Sequence, residues 1–221
     1  MVQAVIFDID GTLIDSVDLH AQAWQDAFDD YGFQFELAVI RGQIGKGGDQ
    51  LLPVFLSEAD RAAKGEEIEA HRGKLFKQRY MSRIKPFPDV PELLRAVRSA
   101  GVRTALGSSA KQEELGVYQR IAGIEGLIDA AASSEDAERS KPHPDIFAAA
   151  LEKLGGVDPA HVLAIGDSPY DAQAAGKLGI RAIGVLCGGF AEADLRKAGC
   201  TAIYRDPADL LQNLNAWLTP G

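Results

Sequence analysis

Two aspartates, Asp8 and Asp10, follow the first apolar stretch of the chain and are the first residues that could do chemistry. Residues 1–7 before them are nearly all apolar and rich in β-branched side chains, which is typical of a strand covered on both faces. Gly11 and Thr12 then indicate a sharp turn. Two carboxylates this close repel each other unless a cation or a shared proton relieves the repulsion. The pair therefore indicates a ligand site, although ordinary turn and capping roles would also account for it.

Further polar clusters lie at the ends of other predicted elements. Ser108 and Ser109 follow one predicted strand, Asp167 and Asp171 follow another, and Lys141 precedes a predicted helix. Because the carboxyl ends of parallel strands share one edge of a sheet, these side chains could converge with the two aspartates in one pocket. Singly, each could be a helix cap or a solvated loop charge. Together, acids, hydroxyls and an amine are the groups needed to hold Mg²⁺ and a phosphoryl group.

Strands and helices alternate regularly from residue 89 onward. Repeated βα units form a parallel sheet with right-handed crossovers and helices on both faces, so the predicted fold class is α/β, a doubly wound, Rossmann-like parallel sheet. Earlier in the chain, the Asp15–Ser16 pair is predicted to cap a helix that ends at Gly32. The predicted strands lie at 1–7, 102–106, 127–131, 162–165 and 181–185. The predicted helices of the alternating region lie at 91–100, 111–121, 145–154 and 172–178. A last helix–strand–helix passage is predicted at 191–218.

Residues 33–85 contain no convincing strand and instead show helical patterns, of which the longest is charged and covers about 57–84. Two prolines close this segment, and proline cannot continue a helix. We therefore expect an α/β catalytic core domain of residues 1–14 and 87–221, with an inserted α-helical cap domain of residues 15–86.

The chain is acidic, with 32 Asp and Glu against 23 Lys and Arg and a formal net charge of −9. This is the wrong sign for binding nucleic-acid phosphates or an anionic membrane, so we expect a small-molecule partner, no nucleic acid and no membrane. Cys187 and Cys200 lack a zinc-binding spacing and are too few to cross-link the chain, which favours a reducing compartment. No signal peptide or membrane-length apolar run is recognisable, and we expect a cytoplasmic protein, either monomeric or dimeric.

In order and spacing, the chain resembles the haloacid dehalogenase (HAD) superfamily at all four of its motifs. The matching positions are residues 8–13 (Asp-Ile-Asp-Gly-Thr-Leu), Ser108, residues 140–142 (Ser-Lys-Pro) and residues 166–171 (Gly-Asp-Ser-Pro-Tyr-Asp). The helical insertion is similar to the small α-helical cap of the subgroup that contains phosphoglycolate phosphatases, small sugar-phosphate phosphatases and β-phosphoglucomutases.

The resemblance implies phosphoryl transfer at the first motif. Asp8 would be the nucleophile, ionised at neutral pH with an ordinary pKa near ~3.9, and would form an aspartyl-phosphate. Asp10 would be the general acid–base; its acidic neighbours would favour retention of a proton, whereas Mg²⁺ would act in the opposite direction. Haloacid dehalogenases lack this second aspartate, so Asp10 favours phosphoryl chemistry.

The resemblance also implies a Mg²⁺ cofactor. Its ligands would be the Asp8 carboxylate, the Asp10 backbone carbonyl and Asp167, with Asp171 nearby, and the ion would offset the repulsion between nucleophile and phosphate. Lys141 would be catalytic and would also bind a phosphoryl oxygen. The other residues implied to bind the phosphate or shape its loop are Gly11, Thr12, Ser108 and Ser109.

His20, Trp24 and the loop at Lys46 also resemble that subgroup's cap. His20 and Lys46 are candidate substrate contacts, but an ordinary helix histidine and a plain interhelical loop would explain them as well. Trp24 is expected to pack in the core of the cap. The mutases of the subgroup carry an arginine shortly after the Lys-Gly pair, whereas this chain has Asp49 in that region, which argues against binding of a second phosphate.

The sequence therefore predicts a Mg²⁺-dependent phosphatase that hydrolyses small phosphomonoesters, such as phosphoglycolate or sugar phosphates, through an aspartyl-phosphate. One alternative is a β-phosphoglucomutase-like mutase. Another is a catalytically silent sugar-phosphate-binding module on the same fold. This alternative is disfavoured because the chain has Asp8, Asp10 and Lys141.

Overall fold

The structure is a computed structural model that describes residues 1–218, and within this range six strands form one parallel sheet. In chain order the strands are β1 (Ala4–Phe7), β2 (Ile14–Asp15), β3 (Lys85–Pro86), β4 (Arg103–Gly107), β5 (Ala130–Ala132), β6 (Val162–Gly166), β7 (Arg181–Val185) and β8 (Ala202–Tyr204). The order across the main sheet is β5-β4-β1-β6-β7-β8, while β2 and β3 form a separate antiparallel pair. The predicted α/β fold class is confirmed.

The centre of the sheet determines where the polar loops meet. Strand β1 lies between β4 and β6, with Phe7 opposite Leu106 on one side and Ile165 on the other. Both β1 and β6 are buried along their whole length, which explains their continuous apolar sequences. The residues that follow the three strands therefore lie side by side at one edge.

The weak strand predicted at 127–131 is observed as β5, which starts three residues later and ends one residue later. The reason is local: Asp129 donates its N–H to the Thr104 carbonyl and accepts the Thr104 N–H with its carboxylate. A side chain thus replaces the backbone in this contact, and ladder pairing begins only at Ala130.

Helices cover both faces of the sheet, as predicted. In chain order the helices are α1 (Val17–Asp30), α2 (Leu37–Arg41), α3 (Gly48–Phe55), α4 (Glu58–Leu75), α5 (Val90–Ser99), α6 (Gln112–Ala122), α7 (Asp145–Lys153), α8 (Pro169–Gly176), α9 (Glu192–Ala198), α10 (Pro207–Gln212) and α11 (Leu214–Leu218). In β1, Val5 and Phe7 belong to one apolar cluster and Ala4 and Ile6 to the other, as the two-residue period of a strand requires. The first face packs against α5, α6, α10 and α11, and the second against α7, α8 and α9.

Helices α1 to α4 lie between β2 and β3 and form a helical segment with its own apolar cluster, which includes Trp24, Phe28 and Leu51. The short β2–β3 pair, through which the chain enters and leaves this segment, was not predicted, because two residues per strand carry no periodic pattern. No helix within residues 1–218 combines the length and the apolar character needed to cross a membrane.

The single long helix predicted over about 57–84 is divided in the structure. It starts as α4, continues as a π-helical turn over Phe76–Tyr80 and ends as a 3₁₀ turn over Met81–Arg83. The change in winding brings Phe76 and Tyr80 into the apolar cluster of the sheet, whereas Leu75 stays in that of the helical segment. Sequence periodicity does not distinguish these windings.

Candidate active site at the carboxyl edge of the sheet

The loop after β1 is held tightly around Asp8. Gly11 has a φ of +76°, and a Cβ at this position would lie 2.5 Å from Asp167 Oδ2, so both the backbone conformation and the space require glycine. Thr12 is fully buried, and its hydroxyl lies 3.4 Å from Asp8 Oδ2 and 3.4 Å from Asp167 Oδ1. The structure therefore brings the first and fourth motifs into direct contact.

Lys141 is the cation at the floor of this site. Its Nζ donates to Asp8 Oδ1 at 2.5 Å and to the Gly107 carbonyl at 2.8 Å, and it pairs with Asp171 Oδ1 at 2.7 Å. The side chain is only 1% exposed. Burial opposes its charge, but Asp171 and Asp8 outweigh that effect and raise the Lys141 pKa. Lys141 is therefore protonated and holds two acids in place.

Three buried carboxylates, those of Asp8, Asp167 and Asp171, have oxygen atoms within 4.8 Å of one another. Burial, followed by the charges of neighbouring acids, raises the pKa of Asp8 to about 7 in spite of Lys141. The same causes raise the Asp167 pKa well above its ordinary value. The expectation of an ordinary Asp8 pKa is therefore wrong for the protein by itself, because one lysine does not compensate three buried acids.

Gly188, in the loop after β7, forms the other wall of the Asp167 pocket. A Cβ at this position would overlap the Asp167 carboxylate, and the neighbouring Cys187 thiol donates to the Gly11 carbonyl at 3.2 Å. This role was not predicted from the sequence. The position of the loop in the sequence could have indicated this role, because the loop follows a strand of the same sheet and lies at the same edge.

The Asp10 carboxylate points away from the acid cluster and towards α1. The Ser16 hydroxyl donates to its Oδ1 at 2.6 Å, and His20 Nε2 lies 3.0 Å from the same oxygen. Burial opposes the charge of Asp10, but His20 and Ser16 outweigh it and lower the Asp10 pKa. This lowering is opposite in direction to the effect expected from the neighbouring acids. The predicted helix cap at Ser16 is also different, because the hydroxyl serves Asp10 and makes no cap bond.

His20 is fixed by a second contact, in which its ring stacks on Phe76 with the centroids 3.9 Å apart. The ring is thus more than an ordinary helix histidine, because it also lines the cavity. It lies against the group predicted to be the acid–base. Its place in the site depends on the packing of α1 against the π-helical turn, which no local sequence pattern reveals.

The two serines after β4 differ in their bonding. Ser108 is fully buried, and its hydroxyl accepts the Ala110 N–H at 3.1 Å. It does not cap α6, whose N-cap residue is Lys111. The Ser109 hydroxyl is buried without a hydrogen-bond partner in the described part of the chain, and both serines line the cavity between the sheet and the helical segment. Ser109 is therefore free to bond a ligand.

This cavity has a volume of about 640 Å³ and lies between the carboxyl edge of the sheet and the helical segment. Asp8 and Asp10 line its floor, and Trp24 and Lys46 line the side made by the helical segment. Lys46 donates to Gln43 Oε1 at 2.6 Å and lies 4.7 Å from the Tyr170 ring, so it is anchored at the cavity wall. Trp24 is 3% exposed and packs in the apolar cluster, as expected.

One hydrogen-bonded contact closes the cavity beside Lys141. The Asp49 carboxylate accepts the Ser140 N–H at 3.0 Å and also the Ser140 hydroxyl, while the Gly47 N–H donates to Ser140 Oγ at 2.9 Å. Burial opposes the charge of Asp49, but these bonds outweigh it and lower the Asp49 pKa. Its charge is therefore engaged with the Lys141 loop.

Helix α4 contributes charged residues that the sequence did not single out. Glu69, Arg72 and Lys74 line the cavity, and within residues 1–218 none of their side chains makes a hydrogen bond or an ion pair. Lys46, the cation of the helical segment that the sequence singled out, is thus accompanied at the cavity by Arg72 and Lys74. Acids and bases alternate along all of α4, so the sequence does not show which of its faces meets the cavity.

Comparison with known proteins agrees with this geometry. The model of the haloacid dehalogenase-like hydrolase family matches residues 2–179. The chain is 30% identical over 227 residues to a phosphoglycolate phosphatase of Cereibacter sphaeroides, with 96% of this chain and 99% of that protein covered. It is 31% identical over 226 residues to the chloroplastic protein SUPPRESSOR OF QUENCHING 1 of Arabidopsis thaliana, but all of this chain spans only 21% of that protein. A hydrolase from Pseudomonas syringae has the same fold, with a TM-score of 0.88, 27% identity and coverage of 98% of this chain and 100% of that chain.

Proposed function

Because this chain belongs to the haloacid dehalogenase-like hydrolases, we propose that it is a Mg²⁺-dependent phosphatase that cleaves small phosphomonoesters through an aspartyl-phosphate on Asp8. The observation that carries the proposal is the buried cluster in which Lys141 holds Asp8 and Asp171 beside Asp167, at the floor of a cavity. A relative named as a phosphoglycolate phosphatase supports a short phosphorylated acid as substrate.

The acid cluster fits Mg²⁺ by its donor chemistry. Asp8, Asp167 and Asp171 offer carboxylate oxygens only, which are the ligands that Mg²⁺ prefers, and the raised pKa values of Asp8 and Asp167 indicate that the cluster lacks positive charge. When bound, the ion would supply this charge, favour the ionised form of Asp8 and offset the repulsion between Asp8 and the phosphate.

The chain's own residues account for the transfer steps. An Asp8 oxygen attacks phosphorus while the bond from phosphorus to the ester oxygen breaks, and Asp10 gives the departing alkoxide a proton. We assign the binding of the phosphoryl oxygens to Lys141, Ser108 and Ser109, and the buried Ser109 hydroxyl, which has no partner among residues 1–218, supports this assignment. Asp10 then accepts a proton from water, whose oxygen attacks phosphorus and releases phosphate as the bond to Asp8 breaks. His20 and Ser16 keep the Asp10 carboxylate oriented through both steps.

We also assign residues 15–86 to a cap domain over the core of residues 1–14 and 87–221. Support comes from the separate apolar cluster of the helical segment and from its paired entry and exit strands. The cap would cover the leaving group, whereas the sheet edge would hold the phosphate. Substrate choice would then depend on Lys46 and on the cavity face of α4.

A mutase is the second candidate, because Arg72 and Lys74 line the cavity without partners among residues 1–218 and could hold a second phosphate. A mutase must protect the aspartyl-phosphate from water, so isomerisation would outrun phosphate release. Supplying β-glucose 1-phosphate with its bisphosphate activator and following glucose 6-phosphate and free phosphate separates the two activities. We expect phosphate to dominate.

The proposal is tested by phosphate release from a panel of phosphomonoesters with Mg²⁺, with excess EDTA and with the variant Asp8→Asn. We expect turnover by the wild type with Mg²⁺ only, and almost none by Asp8→Asn, because the nucleophile is lost. The matched control is Asp15→Asn, an exposed aspartate on β2, which should keep wild-type turnover. Undiminished activity in EDTA or in Asp8→Asn would contradict the mechanism, and no release from any ester would favour the silent binding module.

A further inference from the structure

Two pairs of side chains join α1 to the end of α4 beside the cavity. His20 stacks on Phe76 with ring centroids 3.9 Å apart, and four residues earlier on α4 Arg72 lies 4.9 Å from the Trp24 ring. Trp24 is itself one helical turn beyond His20. The two pairs therefore lie one after the other along the helices, and the second pair is displaced from the first by about 6 Å along α1.

The first pair marks the position of the leaving group. His20 contacts Asp10 at 3.0 Å, and Asp10 is the residue that meets the ester oxygen of the leaving group. The second pair, with Arg72, then lies roughly one helical turn further along the cavity wall. A substituent roughly two or three bonds from the ester oxygen would reach it.

The Arg72 guanidinium combines partial burial with the absence of a polar partner in the described part of the chain. Its Nε is buried without a hydrogen-bond partner, and within residues 1–218 the side chain makes no ion pair. Nearby, Lys77 pairs with Glu113 at 2.9 Å and Arg79 with Asp26 at 3.1 Å. The contact with the Trp24 face holds the guanidinium beside the cavity without using its N–H groups in polar bonds, and binding of a planar anion by these groups suits arginine better than lysine.

From this geometry, and resting on the phosphatase activity proposed above, we propose that Arg72 is the specificity-determining residue of the cavity. It binds an anionic group, a carboxylate or a second phosphate, that the leaving group carries roughly two or three bonds from the ester oxygen. Glu69 on the same helix packs against Gly48 on the α3 side, so it does not occupy the Arg72 position.

The test compares esters that share the phosphate but differ at this substituent. The anionic substrates are 2-phosphoglycolate and ethylene glycol bisphosphate, and the neutral one of similar length is ethyl phosphate. Phosphate release with Mg²⁺ gives kcat and KM for each. The wild type should prefer an anionic ester, and the preferred one identifies the anion as carboxylate or phosphate.

Arg72→Met should lower kcat/KM for the preferred anionic ester by about ten- to hundredfold, chiefly through KM, the range expected for loss of a charge-assisted hydrogen bond. Ethyl phosphate should change by less than about twofold, and Arg72→Lys should restore part of the loss. The matched control is Lys64→Met, which removes the same charge from an exposed position of α4 that does not line the cavity. Equal losses for all three esters in Arg72→Met, or equal losses in Lys64→Met, would overturn the proposal.

A binding measurement separates this inference from the phosphatase activity. In the Asp8→Asn background, titration calorimetry with 2-phosphoglycolate and the bisphosphate should show weaker binding after Arg72→Met. Wild-type turnover without any preference for anionic esters would overturn the inference and leave the phosphatase intact. Absence of turnover would reject the phosphatase, and the calorimetric difference would still decide whether Arg72 binds the anion.

Discussion

The floor and the wall of the cavity differ in whether their charged side chains have partners within the protein. On the floor, Lys141 is 1% exposed and contacts both Asp8 and Asp171. On the wall made by α4, Arg72 and Lys74 have no charged partner in the described residues. The floor holds its lysine between acids of the protein, whereas the wall leaves its arginine and lysine for a ligand.

This difference separates two tasks. Buried and mutually paired charges hold a fixed geometry, which suits the phosphoryl group common to every substrate. Unpaired charges on a half-buried helix face cost less to keep solvated, and they can discriminate between leaving groups. Changes on the floor should therefore reduce turnover of all esters, and changes on the wall should reduce turnover of some.

Asp10→Ala tests the floor and should have the largest effect of the three variants that probe this contrast, a loss of about 10²–10⁴-fold, because both proton transfers fail. A nitrophenyl phosphate series would measure it. The loss in the rate of phosphoenzyme formation should shrink as the leaving group becomes more acidic, since such a group needs no proton. The same loss across the series would show that Asp10 is not the acid.

His20→Ala tests the boundary between floor and wall. Its contact with Asp10 predicts a loss of about ten- to hundredfold for all esters, the range typical of residues that orient a catalytic group. The resemblance of His20 to a cap residue of the family predicts instead that His20→Ala changes substrate preference. His20 also lowers the Asp10 pKa, so its removal should raise that pKa. Because Asp10 is the proton donor in phosphoenzyme formation, the alkaline limb of the pH–rate profile for that step should move to higher pH. His20→Gln, which retains an N–H donor, should recover part of the rate. An unchanged alkaline limb would contradict this role.

Asp49→Ala tests the contact that joins the wall to the floor, and its effect should be the smallest, below about tenfold. Loss of the bonds to Ser140 should raise KM for all esters, because the cavity closes less firmly beside Lys141. Asp49→Asn, which retains one acceptor oxygen, should lie between the wild type and Asp49→Ala. Asp29→Ala, which removes an exposed aspartate of α1, is the control. An effect confined to one ester would place Asp49 in the substrate-binding wall instead.

Much of the floor could be predicted from the sequence, because its residues follow strands whose period and burial are clear. Continuous apolar runs identify β1 and β6, and parallel pairing then places Asp8 and Asp167 side by side. Short-range patterns suffice for the floor, since a strand end is a local feature and the sheet supplies the long-range arrangement.

The wall could not be predicted in the same way. Whether Arg72 or another charged residue of α4 faces the cavity depends on the rotation of one helix against another, and the helix is charged on several faces. The Asp10–His20 contact likewise depends on how α1 packs against the π-helical turn at Phe76. Such packing choices involve residues far apart in the chain, so no window of sequence contains them.

Gly188 shows that a residue without a functional group can be as restricted as a catalytic one. Its Cα lies so close to the Asp167 carboxylate that even a methyl group would occupy the carboxylate's position. A survey of tolerated substitutions should therefore find position 188 almost as intolerant as position 167. In a variant such as Gly188→Ala all four motifs would remain intact, and a protein judged by its motifs alone would wrongly be counted as competent.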